Sequence, residues 1–236
     1  MSSLLPKRLL PTIIYLTILL TSSSPTPSLA APAPLPAAAE PSAPDVTKLF
    51  NGLGHIFVLN ATSYSDASIS DTIGCLSDTG YVVSTFSGFV SESESQSKSN
   101  CAVFSTITSY PKTINSRIGG CSFGNQAMPT NEDSKYGARQ HAWSCNEDAG
   151  MVPEGERYYT INGFKHPFIC NGNLNCYYDI PRAPLPAPSS SSKEDSNTKK
   201  DKVFVWQYAW GSEQMGITPG HLQVLWMWVP VGTKAE

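Results

Sequence analysis

Beyond its first twenty residues, the sequence lacks any apolar run long enough to cross a membrane. A spanning helix needs about 20 consecutive apolar residues. The one long apolar stretch, residues 9–20, is shorter than this, contains Pro11 and leads into a series of Ser, Thr and Pro. The sequence therefore predicts no membrane anchor and no membrane partner for the mature chain.

Charged residues are also few. They make up 15% of the 236 residues, with 16 Lys and Arg against 19 Asp and Glu. A slightly acidic surface repels phosphate groups, and no Lys/Arg cluster alternates with aromatic residues. The short basic run of Lys199, Lys200 and Lys202 stands beside acidic residues in a serine-rich stretch, as in a solvated loop. Nucleic acid is therefore not an expected partner.

Helical periodicity and metal-binding spacing are absent as well. No long stretch keeps apolar residues at the three- and four-residue spacing of an amphipathic helix. No two cysteines have the two-residue spacing of a zinc knuckle, and the histidines are scattered. These are His55, His141, His166 and His221. The sequence predicts neither a metal site nor a cofactor.

The clearest positive signal lies at the N-terminus. Lys7 and Arg8 precede the apolar stretch, and Ser28-Leu29-Ala30 supplies the small residues that a signal peptidase needs. This order predicts a signal peptide over residues 1–30 and a secreted, extracellular product that can also associate with a cell wall. Without Lys7 and Arg8, 14 basic residues face 19 acidic ones, so the formal charge of the mature chain is −5.

All six cysteines lie after the predicted cleavage point. An even number of cysteines in an exported chain predicts three disulfides. Fifteen connectivities are possible, and the sequence alone leaves them open; we favour the one that pairs neighbours. The favoured pairs are Cys75 with Cys101, Cys121 with Cys145, and Cys170 with Cys176.

Two further features fit an extracellular chain. Asn60-Ala61-Thr62 is an N-x-Ser/Thr sequon, which predicts glycosylation at Asn60 if that side chain faces solvent. Residues 31–45 are rich in Pro and Ala, a composition that favours an extended, solvated chain. We interpret this segment as a flexible tail or as a pro-segment that is trimmed later.

Strand patterns dominate the remainder of the chain. The β-rich stretches are residues 54–62, 81–86, 101–107, 158–161, 168–170, 203–210 and 222–229. Asn162-Gly163 predicts a hairpin turn, and Pro219-Gly220 predicts a turn between the last two strands, which we expect to pair with each other. The fold class is therefore all-β, a disulfide-stapled sandwich or irregular barrel with long surface loops.

We expect one domain over residues 46–236. A polar, disordered insertion at about 184–202 interrupts it, and only residues 203–236 follow that insertion. So short a segment cannot bury a core by itself, so it must pack back on the earlier strands.

The tryptophans of the closing strands have two interpretations. Trp206 and Trp210 share one face of residues 203–210, while Trp226 and Trp228 share one face of residues 222–229. Such rings can form a flat platform for sugar binding, as in carbohydrate-binding modules. Because the second strand is apolar on both faces, burial in the core is the favoured interpretation for most of them.

One short pattern points towards a nucleophilic serine. Gly120-Cys121-Ser122-Phe123-Gly124 matches the G-x-S-x-G pattern of serine hydrolases, in which the serine stands on a sharp strand-to-helix turn. The preceding stretch is polar, Pro129 follows within a few residues, and Cys121 is expected in a disulfide. The structural context of a nucleophile is therefore missing.

Acid–base chemistry has two candidate histidines. His141 precedes a pair of acidic residues, and His166 follows a set that resembles the carboxylate-plus-imidazole chemistry of small secreted ribonucleases. Neither set has a diagnostic spacing, so a surface or structural role is favoured for both. Glycosidase chemistry needs two carboxylates about 5–10 Å apart, a distance that sequence cannot test. The acidic candidates are Glu132, Asp133, Glu147, Asp148, Glu154 and Glu156.

The organisation of the chain is similar to that of small secreted proteins of filamentous fungi. This resemblance covers organisation alone and implies no catalytic residue. Our first hypothesis is a non-enzymatic extracellular protein that binds a cell wall, a carbohydrate or a host surface component. The alternative is a small secreted hydrolase, glycosidase or ribonuclease-like, that uses His141 or His166 with a carboxylate. An enzyme needs a cleft that gathers such groups, and a binder does not.

Overall fold

The structure is a computed structural model that describes residues 45–84, 101–106, 113–137, 140–147, 157–172, 176–185, 202–209 and 211–232. All of them belong to one compact unit, Pro41–Glu236. The predicted signal peptide, nearly all of the Pro-rich tail and most of the polar insertion lie outside the described residues. Within the described part, no helix has the length and apolar character needed to cross a membrane.

Among the described residues, strands and two single 3₁₀ turns make up the regular structure. The 3₁₀ turns are Val46–Lys48 and Ile69–Asp71. The strands are β1 (Gly52–Leu59), β2 (Thr72–Leu76), β3 (Val82–Val83), β4 (Phe104–Thr106), β5 (Ile114–Ser116), β6 (Gly119–Ser122), β7 (Ser144–Asn146), β8 (Tyr158–Thr160), β9 (Ile169–Asn171), β10 (Tyr177–Ile180), β11 (Trp206–Gln207) and β12 (Leu222–Pro230). The all-β prediction is confirmed.

Ten strands form one antiparallel sheet in the order β11-β10-β12-β1-β4-β5-β6-β7, with β2 and β3 attached to β1. The first and last strands, β1 and β12, are neighbours near the centre of this sheet. The closing segment therefore packs back on the beginning of the domain. Strands β8 and β9 form a separate two-stranded hairpin.

The large sheet curls into a half-barrel. Isolated backbone contacts join its distant parts: Val82 in β3 bridges Val203, and the Trp143 N–H donates to the Val205 carbonyl at 2.8 Å. Val203 and Val205 immediately precede the edge strand β11, whereas Trp143 immediately precedes β7 at the other edge. The curl thus brings the two edges towards each other around a shared interior.

That interior contains the main core. Ile56 and Val58 of β1 face Trp226 and Trp228 of β12, because side chains alternate along a strand. Gly54 makes this packing possible, since a Cβ atom there would lie 2.3 Å from the Trp228 ring. The opposite face of the same two strands carries a smaller apolar cluster with Phe57, Leu59, Phe168, Leu225 and Met227.

Three disulfides join the six cysteines in the favoured pairing. They are Cys75–Cys101, Cys121–Cys145 and Cys170–Cys176. Cys121 and Cys145 lie directly opposite each other on β6 and β7, so this bond links two neighbouring strands. Every cysteine is accounted for by these bonds.

Local predictions have mixed outcomes. The hairpin around Asn162-Gly163 is confirmed, because β8 pairs with β9 and Gly163 takes the positive φ of 95° that favours glycine. The expected pairing of residues 203–210 with residues 222–229 is wrong. Strand β10 lies between them and pairs with β11 on one side and with β12 on the other.

Candidate functional site

The tryptophans that the structure describes are buried. Trp143, Trp226 and Trp228 lie in the main core, and Trp206 is 6% exposed on the other side of the sheet. The core interpretation is therefore correct for these four rings, and they do not form an exposed platform. Trp210 lies outside the described residues.

The serine of the G-x-S-x-G pattern is buried at the end of a strand. Ser122 ends β6 with 3% of its surface exposed, and its hydroxyl accepts a hydrogen bond from the Gly124 N–H at 3.1 Å. The preceding Cys121 is tied to Cys145. A strand inside the sheet, instead of a strand-to-helix turn, carries this serine.

The two predicted acid–base histidines contact backbone and apolar groups. His141 Nδ1 lies 2.9 Å from the Met128 carbonyl oxygen. His166 packs its ring against Phe168, and its buried Nε2 has no hydrogen-bond partner among the described residues. Desolvation by burial, together with the nearby Lys165 charge, lowers the pKa of His166. Neither ring is placed against a carboxylate in the described part of the chain; Asp148, Glu154 and Glu156 lie outside it.

A histidine does meet a buried carboxylate elsewhere, on the outer face of the half-barrel. Asp179 in β10 is fully buried and is the one charged side chain with that property among the described residues. Its Oδ2 accepts from the Thr218 N–H at 2.9 Å and from the Thr218 hydroxyl at 2.5 Å. Its Oδ1 lies 2.6 Å from His221 Nδ1. Three donors therefore converge on this one carboxylate.

His221 stands where the turn at Pro219-Gly220 enters β12. A carboxylate oxygen only accepts, so the contact with Asp179 places a hydrogen on Nδ1 and leaves Nε2 as the acceptor of the neutral ring. Nε2 lies 3.6 Å from Asp133 Oδ2, and the Asp133 side chain is 80% exposed while that of His221 is 8% exposed. Trp206 stacks on the imidazole, with ring centroids 6.0 Å apart. Asp179 and Trp206 therefore hold the ring at its Nδ1 atom and on one of its faces.

Neutral polar groups complete the surroundings of Asp179. Asn131 donates from its side-chain amide to the Thr218 hydroxyl at 2.9 Å. The Gln214 side-chain oxygen accepts from the Ser134 hydroxyl and from the Lys135 N–H, at 3.1 and 2.8 Å. Residues 131–135 and 214–221 are thereby connected to β10 through hydrogen bonds between buried groups. We call Asp179, His221, Thr218 and Asp133 the histidine site.

The group next to His221 Nε2 limits the reactions that the histidine site can catalyse. An imidazole oriented by a buried carboxylate is the usual arrangement of a general base. In the described part of the chain, Nε2 faces the Asp133 carboxylate, which is not a nucleophile of the serine or cysteine type. Among the described residues, no three His, Cys, Asp or Glu side chains are grouped so as to hold a metal ion.

A row of tyrosines lies beside the histidine site. Tyr177 shares its face of β10 with Asp179, because residues two apart in a strand point the same way. Its ring stacks on Tyr64 with centroids 4.7 Å apart and lies 6.1 Å from the Tyr208 ring. All three are partly exposed. We call Tyr64, Tyr177 and Tyr208 the tyrosine row.

Burial and the neighbouring Tyr177 raise the pKa of Tyr64 above its ordinary value. The Tyr177 hydroxyl donates to the Thr62 carbonyl at 3.1 Å. Phe164, also partly exposed, continues the aromatic surface at 5.1 Å from Tyr64. Tyr64, Tyr177 and Phe164 thus pack against the smaller apolar cluster and remain partly exposed.

Sequence reasoning did not find the histidine site. Its two main residues are separated by the polar insertion. Asp179 lies in a segment that was not predicted to be a strand, and His221 directly follows the predicted turn at Pro219-Gly220. One signal was available: Asp179 interrupts the apolar run Tyr177–Ile180. A charge in a strand that is buried on both faces needs a partner, and the partner is one of the four histidines.

Comparison with known proteins yields no relative. No protein-family model matches the chain, and no significant match is found among curated proteins or among solved structures.

Proposed function

We propose that the protein is secreted and acts outside the cell by binding carbohydrate of a cell wall through its surface. The signal-peptide pattern over residues 1–30 supports the export, and three disulfides are compatible with an oxidising compartment. Asn60 follows the end of β1 and is exposed, as glycosylation at its sequon requires.

The tyrosine row is the observation that carries the binding proposal. Partly exposed aromatic rings on a sheet face offer apolar area to the C–H groups of a sugar ring, and their hydroxyls add polar contacts at the edge. The described tryptophans contribute no such surface, since they are buried. The mature chain carries few basic residues, which fits a neutral ligand better than a phosphate-bearing one.

Binding to insoluble polysaccharides tests this function. We expect the secreted protein to be retained on at least one of chitin, β-glucan and cellulose. Tyr208→Ala and Tyr64→Ala should each reduce retention several-fold, because each removes one ring of the row. Tyr81→Ala is the matched control: Tyr81 is also partly exposed, but it packs against Phe204 at a different place on the sheet.

Two results would count against carbohydrate binding. The first is uniform failure to bind all three polysaccharides. The second is equal loss of retention in the Tyr81→Ala control, which would show that the tyrosine row has no special role. Retention on intact host cells, but on none of the polysaccharides, would indicate that the ligand is a host surface component instead of a carbohydrate.

A small secreted hydrolase is the second candidate, and the contact between Asp179 and His221 is the observation that favours it. In this function His221 Nε2 accepts a proton from an attacking water while Asp179 holds the ring in orientation. In this candidate function His221 is the general base, instead of His141 or His166, which the sequence suggested.

The hydrolase candidate predicts loss of activity in one variant. On polysaccharide and RNA substrates, His221→Gln should reduce any detected hydrolysis by about 10²-fold or more, the usual contribution of a general base. His141→Gln is the matched control, because it removes a partly buried imidazole that contacts a backbone carbonyl. Hydrolysis that survives in His221→Gln excludes this residue as the base.

A further inference from the structure

The surroundings of His221 Nε2 suit a ligand that neither proposed function requires. We propose that His221 and Asp133 together bind one divalent late transition-metal ion, Cu²⁺ or Zn²⁺, in an open site at the protein surface.

The first step concerns the tautomer of His221. Metal-ligating histidines nearly always donate their other ring N–H to a carboxylate, a carbonyl or a water, which orients the ring and raises its basicity. Asp179 provides this contact at 2.6 Å from Nδ1, and the Asp179 side chain is 1% exposed. The lone pair of the neutral ring is therefore on Nε2, and its direction is fixed from inside the protein.

The second step concerns the distance to Asp133. Two ligand atoms at 2.0–2.2 Å from a tetrahedral ion are separated by about 3.3–3.6 Å. The Nε2 and Oδ2 atoms are 3.6 Å apart, which is longer than a hydrogen bond and suits an ion between them. This separation is compatible with an ion bound between the two atoms.

The third step concerns affinity and exchange. Two protein ligands leave the remaining positions to water, and Asp133 is 80% exposed, so the ion can enter and leave. An imidazole nitrogen selects Cu²⁺ and Zn²⁺ over Mg²⁺ and Ca²⁺. The binding order should follow Cu²⁺ above Ni²⁺ above Co²⁺, as for other nitrogen and oxygen ligands.

Trp206 allows metal binding at His221 to be followed by fluorescence. Its ring stacks on His221 with centroids 6.0 Å apart. Bound Cu²⁺ quenches nearby tryptophan emission, so titration of the secreted protein with CuCl₂ should quench part of its fluorescence. Trp206→Phe should remove that saturable part. Calorimetric titration with ZnCl₂ provides a second measurement that does not depend on fluorescence or activity.

The decisive variant is Asp133→Asn, because an exposed side chain can change without loss of the fold. We expect it to weaken Cu²⁺ and Zn²⁺ binding by at least about tenfold while the thermal midpoint in the presence of EDTA stays unchanged. His221→Gln should weaken binding further, and His141→Gln should bind as the unmodified chain does.

Two outcomes overturn the metal site. One is the absence of saturable binding at millimolar Cu²⁺ and Zn²⁺. The other is binding that Asp133→Asn and His221→Gln leave unchanged, which would place the ion on other groups. Neither outcome affects carbohydrate binding by the tyrosine row, because the two proposals use different residues and different measurements.

Discussion

Replacement of Asp179 by alanine is expected to lower the free energy of unfolding by about 3–5 kcal/mol, because it breaks a buried, charge-assisted network. The substitution leaves three buried donors, from Thr218 and His221, without an acceptor. Each unsatisfied buried group costs about 1–3 kcal/mol. Denaturant unfolding of the purified protein, followed by tryptophan fluorescence, measures the loss.

One further substitution separates the charge of Asp179 from its shape, and a second tests the exposed carboxylate of Asp133. Asp179→Asn keeps the shape but turns an NH₂ group towards a donor, so we expect a smaller loss of about 1–3 kcal/mol. Asp133→Asn changes the exposed carboxylate on the other side of His221, and surface pairs contribute about 0–1 kcal/mol. A loss under 1 kcal/mol for Asp179→Ala would show that the network does not stabilise the fold.

The second large effect concerns the disulfide between β6 and β7. Replacement of both Cys121 and Cys145 by alanine should lower the free energy of unfolding by about 3–4 kcal/mol, since the bond closes a long loop in the unfolded chain. The two cysteines are 24 residues apart and belong to the main core. Their replacement therefore also removes buried apolar contacts.

The disulfide of the shortest loop is the matched control. Cys170 and Cys176 are only 6 residues apart, so the same entropic relation gives about 2–2.5 kcal/mol for their paired replacement by alanine. Denaturation midpoints of the two double variants give the comparison directly. An equal or reversed order would show that strain or residual structure, instead of loop closure, determines the contribution of these bonds.

The general class of the fold was accessible from the sequence because its signals are local or compositional. Strand alternation, the Asn162-Gly163 turn and six cysteines in a chain with a predicted export signal each require only neighbouring residues or a count. The favoured disulfide pairing also depends on proximity in the sequence, and it coincides with the cross-strand contact of Cys121 and Cys145.

Strand order was less accessible, because it depends on contacts between distant segments. Residues 203–210 and 222–229 look like a hairpin, since a turn at Pro219-Gly220 separates two apolar strands. Asp179 and its neighbours in β10 nevertheless insert between them. The residue pattern of β10 does not indicate which strands lie beside it in the sheet. Because β10 is buried on both faces, its pattern suits any central position.

The histidine site was missed for the same reason. Histidines and carboxylates were paired by sequence distance, which favoured His141 and His166. The structure instead brings together Asp133, Asp179 and His221 from three separate segments. Only the three-dimensional path of the chain determines such a grouping.

The pairing of β1 with β12 has a consequence for the order of folding. Strand β12 follows all the other described strands in the sequence, yet it lies near the centre of the sheet and joins β1 to β10. Contacts of such long range form late and slow the search for the native state. A nascent chain that ends before Leu222 lacks β12, so it cannot assemble the centre of the sheet.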